Sequence, residues 1–218
     1  MRNMRITARP VTRVFAVCAL LGGTGAAVLL AAGPAGAADC STVGAASCTA
    51  DGSADIGAGG LTLVAPDTLT WADTLNGLDQ EAVDTTDTSF VVNDARATGV
   101  GWNVTAAATT FTDGTDTLAD ASTFSINGSV SSATVGATPT NACSAGSTCT
   151  VADDTALAYP IAIPTGAAVA GKPVYEAADH SGLGSITVST VGWWIAVPAD
   201  TVPGTYLSTV TLDIVSGP

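Results

Sequence analysis

The chain predicts an all-β fold, a single antiparallel β-sandwich preceded by a cleaved signal peptide. Three observations carry this expectation. Short runs of alternating apolar and polar residues recur along the 218 residues, separated by Gly, Pro and Asn-Gly turns. Beyond the N-terminal apolar run, no window repeats its apolar positions with a helical period of about 3.6. The chain holds 24 Gly, many Thr and Ser, and six Lys and Arg, which favours strands joined by turns over helix.

The N-terminus reads as an export signal. Arg2, Arg5, Arg9 and Arg13 form a positive head, residues 14–32 are apolar, and Ala35-Gly36-Ala37 is a small-x-small cleavage site. Gly22, Gly23 and Gly25 interrupt the apolar run, so a retained membrane span is disfavoured and cleavage is expected after Ala37. Asp39 precedes Cys40, where a lipid-attachment site needs a small uncharged residue. The expected organisation is a signal peptide at 1–37, a flexible segment of small residues at 38–60, and one sandwich domain at 61–218.

Each strand follows from local pattern. Residues 61–65 alternate and stop at Pro66, and 68–72 form a second short strand ended near Asn76-Gly77. Residues 89–93 are a third, and 102–111 a long fourth. Residues 124–127 and 129–135 read as a hairpin about Asn127-Gly128. Residues 138–150 read as a loop. Residues 159–163 are a Pro-bounded strand suited to a sheet edge. Residues 186–190, 193–197 and 206–215 complete the set. In the last, Tyr206, Ser208, Val210, Leu212 and Ile214 share one side. Trp102, Val104 and Ala106 likewise share a side, so both rows read as core-facing rows of neighbouring strands.

Charge narrows the partners. All 19 acids lie beyond Ala37, with only Arg96 and Lys172 against them, a formal charge of −17 for the processed chain. Nucleic acid is not an expected partner, because phosphate contacts need Lys and Arg. Anionic polymers in general are repelled unless a divalent cation bridges them. Four cysteines survive cleavage: Cys40, Cys48, Cys143 and Cys149. Export permits disulfides. Three pairings are open, and the local one, Cys40 with Cys48 and Cys143 with Cys149, is expected because both pairs sit in Gly/Ser/Ala-rich stretches. A Cys-x-x-Cys metal motif is absent.

The residues that could carry function are few. An aromatic ring can pack in a core or lie against the apolar face of a sugar. Trp102 and Tyr206 are open to both readings. Adjacent Trp193 and Trp194 face opposite ways on a regular strand, and with Trp71 and Tyr175 they supply the best sugar-stacking rings. The packing alternative places Trp193 with Ile195 and Val197 in the sandwich. Asp113, Asp116 and Asp120 sit in a turn-like segment at a spacing that could hold calcium, although solvated turn residues explain them as well. No cofactor is otherwise implied. His180 is the only histidine, its neighbours Asp179 and Ser181 cannot fold onto it as a triad, and no Gly-x-Ser-x-Gly elbow exists. An enzyme is not expected.

The spacing Tyr206-x-x-x-Val210-Thr211-Leu212-x-Ile214-x-x-x-Pro218 resembles the distal motif of WxL domains, the cell-wall-binding domains of Gram-positive surface proteins, whose pattern is Tyr-x-x-x-Leu-Thr-Trp-x-Leu-x-x-x-Pro. Gly101-Trp102-Asn103-Val104-Thr105 is similar to that family's proximal Trp-x-Leu. The likeness is dense at 91–112 and 194–218. Val104 stands where the family has Leu, and Leu212 where it has Trp. The resemblance implies a secreted protein at the cell wall or cell surface. It would bind peptidoglycan or another wall glycan non-covalently, in complexes with other surface proteins. It offers Trp102, Val104, Trp193, Trp194, Tyr206 and Leu212 as ligand contacts. The alternative is a secreted structural or adhesive sandwich that self-assembles or binds protein without wall affinity.

Overall fold

The computed structural model describes residues 54–118 and 123–218. The expected signal peptide, Cys40, Cys48 and Asp120 lie outside the described residues. Within them the chain is all-β, with no helix and eleven strands. These are β1 (Leu61–Val64), β2 (Gln80–Asp84), β3 (Phe90–Asp94), β4 (Trp102–Ala108), β5 (Phe124–Asn127), β6 (Thr140–Cys143), β7 (Ile161–Ala162), β8 (Lys172–Ala177), β9 (Gly184–Ser189), β10 (Gly192–Val197) and β11 (Val210–Ser216).

They form three sheets, in the orders β1-β3-β9-β6, β2-β10-β5-β7 and β11-β4-β8, and every strand pair is antiparallel. Alternation decides which side of each strand is inward. In β4 the inward row is Trp102, Val104, Ala106 and Ala108, all buried, between half-buried Asn103, Thr105 and Ala107. β11 lies beside it, with Ile214 opposite Val104 and Leu212 opposite Ala106. The two rows are therefore neighbours on one face, as their periodicity predicts. Phe90 and Val92 of β3, Phe124 and Ile126 of β5, Ile186 and Val188 of β9 and Trp193 of β10 meet them in one core shared by all three sheets. The arrangement is sandwich-like: apolar faces close on each other, and the outward rows mix polar residues with exposed Val64 of β1 and Val215 of β11.

Several boundaries differ from the expectations. Residues 68–72 form no strand; they run alongside β10, with the Thr70 N–H donating to Asp84 and the Trp71 indole to the Trp193 carbonyl. β2 takes the place beside β10 instead. Residues 129–135 do not pair with β5, because the Asn127 amide collects the carbonyls of Ser132, Ala133 and Val135 and winds that segment into a loop. β5 pairs with β10 and β7. The stretch 138–150, expected as a loop, contributes β6, and β8 arises where no strand is expected. The terminal strand begins at Val210, since Leu207 pairs with Thr112 in an isolated bridge. β7 is shorter than expected but does lie at a sheet edge.

Candidate functional site

Segment 69–75 joins no sheet, and two long-range bonds hold it. Asp84, wholly buried, accepts from the N–H groups of Thr70 at 2.5 Å, Thr86 at 2.7 Å and Asp87 at 3.0 Å and from the Thr86 hydroxyl at 2.8 Å. Burial alone would raise its carboxyl, but these donors outweigh burial and hold it below the usual carboxylate range. One residue on, the Trp71 indole N–H reaches the Trp193 carbonyl at 2.8 Å. Its ring stands edge-on to Phe111 and Phe124 at 5.7 and 5.6 Å.

Facing this segment is the loop 201–208, which carries the chain from β10 towards β11. Together the two segments line a groove of about 760 Å³. Its apolar lining includes Ala82, Phe111, Leu118, Ile195 and Val197. Trp71 lies on one lining segment and Tyr206 on the other, both half-buried, so each ring keeps accessible surface. The Tyr206 hydroxyl donates to the Val202 carbonyl within its own loop. Thr70, Asp73, Thr74, Thr201 and Thr205 supply the polar component, while the Ser208 hydroxyl donates to the Thr109 carbonyl. An apolar cleft with a few convergent polar groups is the ordinary form of a small-ligand site.

The other aromatic candidates have a different setting. Trp102, Trp193 and Tyr175 have no exposed surface, and Trp194 is 7% exposed. Trp102 stacks on Tyr175 and Trp193 on Phe124. Each indole N–H is spent on a distant backbone carbonyl: Trp102 on Gly182, Trp193 on Asp87 and Trp194 on Ser129. These rings bolt strands to loops. Val104 is fully buried and Leu212 half-buried in the same core. Of the ring residues singled out from the sequence, Trp71 and Tyr206 are the two that the fold brings to one groove.

The acidic segment forms a tight turn. Asp113 accepts from the N–H groups of Thr115 and Asp116, which hold its carboxyl below the usual range. Among the described residues, no three His, Cys, Asp or Glu side chains converge as a metal site. Cys143 and Cys149 are joined as a disulfide, the local pairing expected for them. His180 is exposed, 3.4 Å from the carboxylate of Asp179, while the Ser181 hydroxyl donates to the Ala178 carbonyl.

A second polar cluster is buried away from the groove. Asp154, 8% exposed, accepts from the Tyr159 hydroxyl at 2.6 Å, and its other oxygen has no hydrogen-bond partner. Tyr159 also reaches the Val174 carbonyl. Burial pushes the Asp154 carboxyl up to about 6 against the Tyr159 bond, and the charges of Glu176 and Asp153 add to the rise. In the sequence Asp153-Asp154 reads as a weaker calcium candidate or as a solvated turn, and the pattern gives no sign that Asp154 is buried. Compared with known proteins, the chain matches no family model, no curated protein and no solved structure.

Proposed function

We propose that this is a secreted surface protein whose sandwich domain binds cell-wall glycan, peptidoglycan in the first instance, non-covalently and without catalysis. The two motifs similar to WxL domains and the export-type N-terminus motivate the reading. The observation that carries it is the groove, with Trp71 and Tyr206 presented from separate segments beside an apolar lining and threonine hydroxyls. Such a surface suits a sugar, whose axial C–H face packs on an aromatic ring while its hydroxyls exchange hydrogen bonds at the edges. The motif residues Trp102, Val104 and Leu212 belong to the core and are not among the residues that line the groove.

Co-sedimentation with isolated Gram-positive sacculi tests this. Sacculi stripped of teichoic acid should retain the protein with or without EDTA. Uptake lost in EDTA would transfer the binding to a cation bridge at Asp113 and Asp116. No uptake under any condition would sink the wall reading.

A structural or adhesive role is the second reading, favoured by a separate observation. Among the described residues all three sheets are open, so each ends in strands paired on one side only, including the seven-residue β11. Unpaired strand edges can add a strand from another chain. Concentration-dependent association without wall uptake would support it.

A further inference from the structure

We infer that, within wall glycan, the groove prefers de-N-acetylated, amine-bearing amino-sugar residues over fully N-acetylated ones, and that Asp73 is the residue that reads the amine. This rests on the groove being the glycan site.

The charge around the groove is of one sign. Among the described residues, Asp73 is the only ionisable acid or base lining it apart from the Tyr206 phenol, and no Lys or Arg takes part. Of the two cations in the described residues, Arg96 is committed to Asp94, Gly101 and Ser216, and Lys172 lies on β8 outside the lining. Behind the 201–208 wall stands a second carboxylate. Asp113 Oδ2 lies so close to Gly204 that a side chain there would begin 2.8 Å from it. Partial burial raises the Tyr206 phenol, and the carboxylates of Asp113 and Asp116 add to the rise, so the loop wall is under negative potential. A phosphate or carboxylate polymer meets repulsion on entering, while an ammonium meets attraction.

Asp73 is held ready for that contact. Its Oδ1 accepts from the Thr74 N–H at 2.7 Å and its Oδ2 from the Gln80 amide at 3.0 Å. The Gln80 amide also bonds the Thr74 carbonyl, and its oxygen accepts from the Asn76 N–H. The carboxylate is thereby fixed at the end of the Trp71 segment. Each oxygen keeps a free lone pair, and the residue is exposed. A carboxylate fixed beside an aromatic groove offers an ammonium a directed, charge-assisted hydrogen bond.

Calorimetric titration of the purified chain with glucosamine and N-acetylglucosamine oligomers of equal length tests this, at low and at physiological salt. The glucosamine oligomer should bind about 2- to 5-fold tighter at low salt, the factor expected of one exposed charge pair, and salt should narrow the gap. Asp73→Asn should bring the ratio close to one. Asp213→Asn removes the same charge from the outward row of β11 and should leave the ratio in place, which separates a directed contact from general attraction to an acidic protein. Equal affinity for both sugars, or a ratio unmoved by Asp73→Asn, would overturn the amine reading while the groove stands. Failure of both oligomers to bind would remove the groove reading and this inference together.

Discussion

Asp154→Asn is the substitution whose outcome the structure constrains most tightly. The carboxyl is buried, holds one strong bond from Tyr159 and has one oxygen without a partner. Its native value of about 6 stands above the unfolded value of 3.8. The folded chain therefore binds a proton more tightly than the unfolded chain. Between those values the native state carries the extra proton, so stability falls as pH rises through the window. Charging Asp154 in place, compared with charging it in the unfolded chain, costs on the order of 3 kcal/mol above pH 7. The sign is opposite to that of Asp84, Asp94 and Asp113, whose lowered values add stability that is lost as pH falls through and below the ordinary carboxylate range. Urea midpoints at pH 4.5 and pH 7.5 should show the wild type more stable at the lower pH. General relief of negative charge acts in the same direction, so the discriminating quantity is the difference between wild type and Asp154→Asn. The amide keeps an acceptor for Tyr159 and cannot ionise, so the variant should lose most of the slope that the carboxyl contributes. Equal slopes in the two proteins would refute the reasoning, whatever the absolute stabilities.

Arg96→Met should destabilise at pH 7 by roughly 3 kcal/mol, because Asp94 keeps its buried charge without the guanidinium 2.8 Å away; urea unfolding measures it, and the deficit should shrink below pH 4 as Asp94 protonates. Gly182→Ala should cost about 2–4 kcal/mol, since the residue has φ +70° and its new methyl would sit 2.6 Å from Trp102 Nε1. A blue-to-red shift in tryptophan emission at lower denaturant would report it. Cys143→Ser with Cys149→Ser should cost about 2 kcal/mol, the closure entropy of a loop this short. Thermal melts of the double variant against the oxidised protein check that value.

The parts of the fold legible in the sequence are those whose inward rows are large and apolar. β4 and β11 carry Trp102, Val104, Val210, Leu212 and Ile214 at strict alternation, and their pairing follows from it. β2 escaped because its inward positions are Ala82 and Asp84, and the second is a carboxylate satisfied by backbone donors from residues 70–87. β8 escaped because Pro173 reads as a breaker, yet the strand lies at a sheet edge, where a missing N–H costs no ladder bond, and its register shifts at that point. The 129–135 segment alternates, but the Asn127 amide outbids a second strand. For the site, Trp71 and Tyr206 are recognisable as ring residues. Their meeting at one groove is not, because it depends on Thr70–Asp84 and Trp71–Trp193 bonds spanning 14 and 122 residues.

The indole bolts have a kinetic consequence. Their partners lie 65, 80, 106 and 122 residues apart along the chain, so none can form by local closure. β4, the middle strand of its sheet, must wait for β8 on one side and β11 on the other. Chains built on such distant pairings fold slowly, in milliseconds to seconds, because loop entropy is lost before contacts repay it. Throughout that interval the Trp102–Val104–Ala106 row is uncovered. A nascent chain of this topology therefore stays open to chaperones, and to its own copies, until the last strand docks.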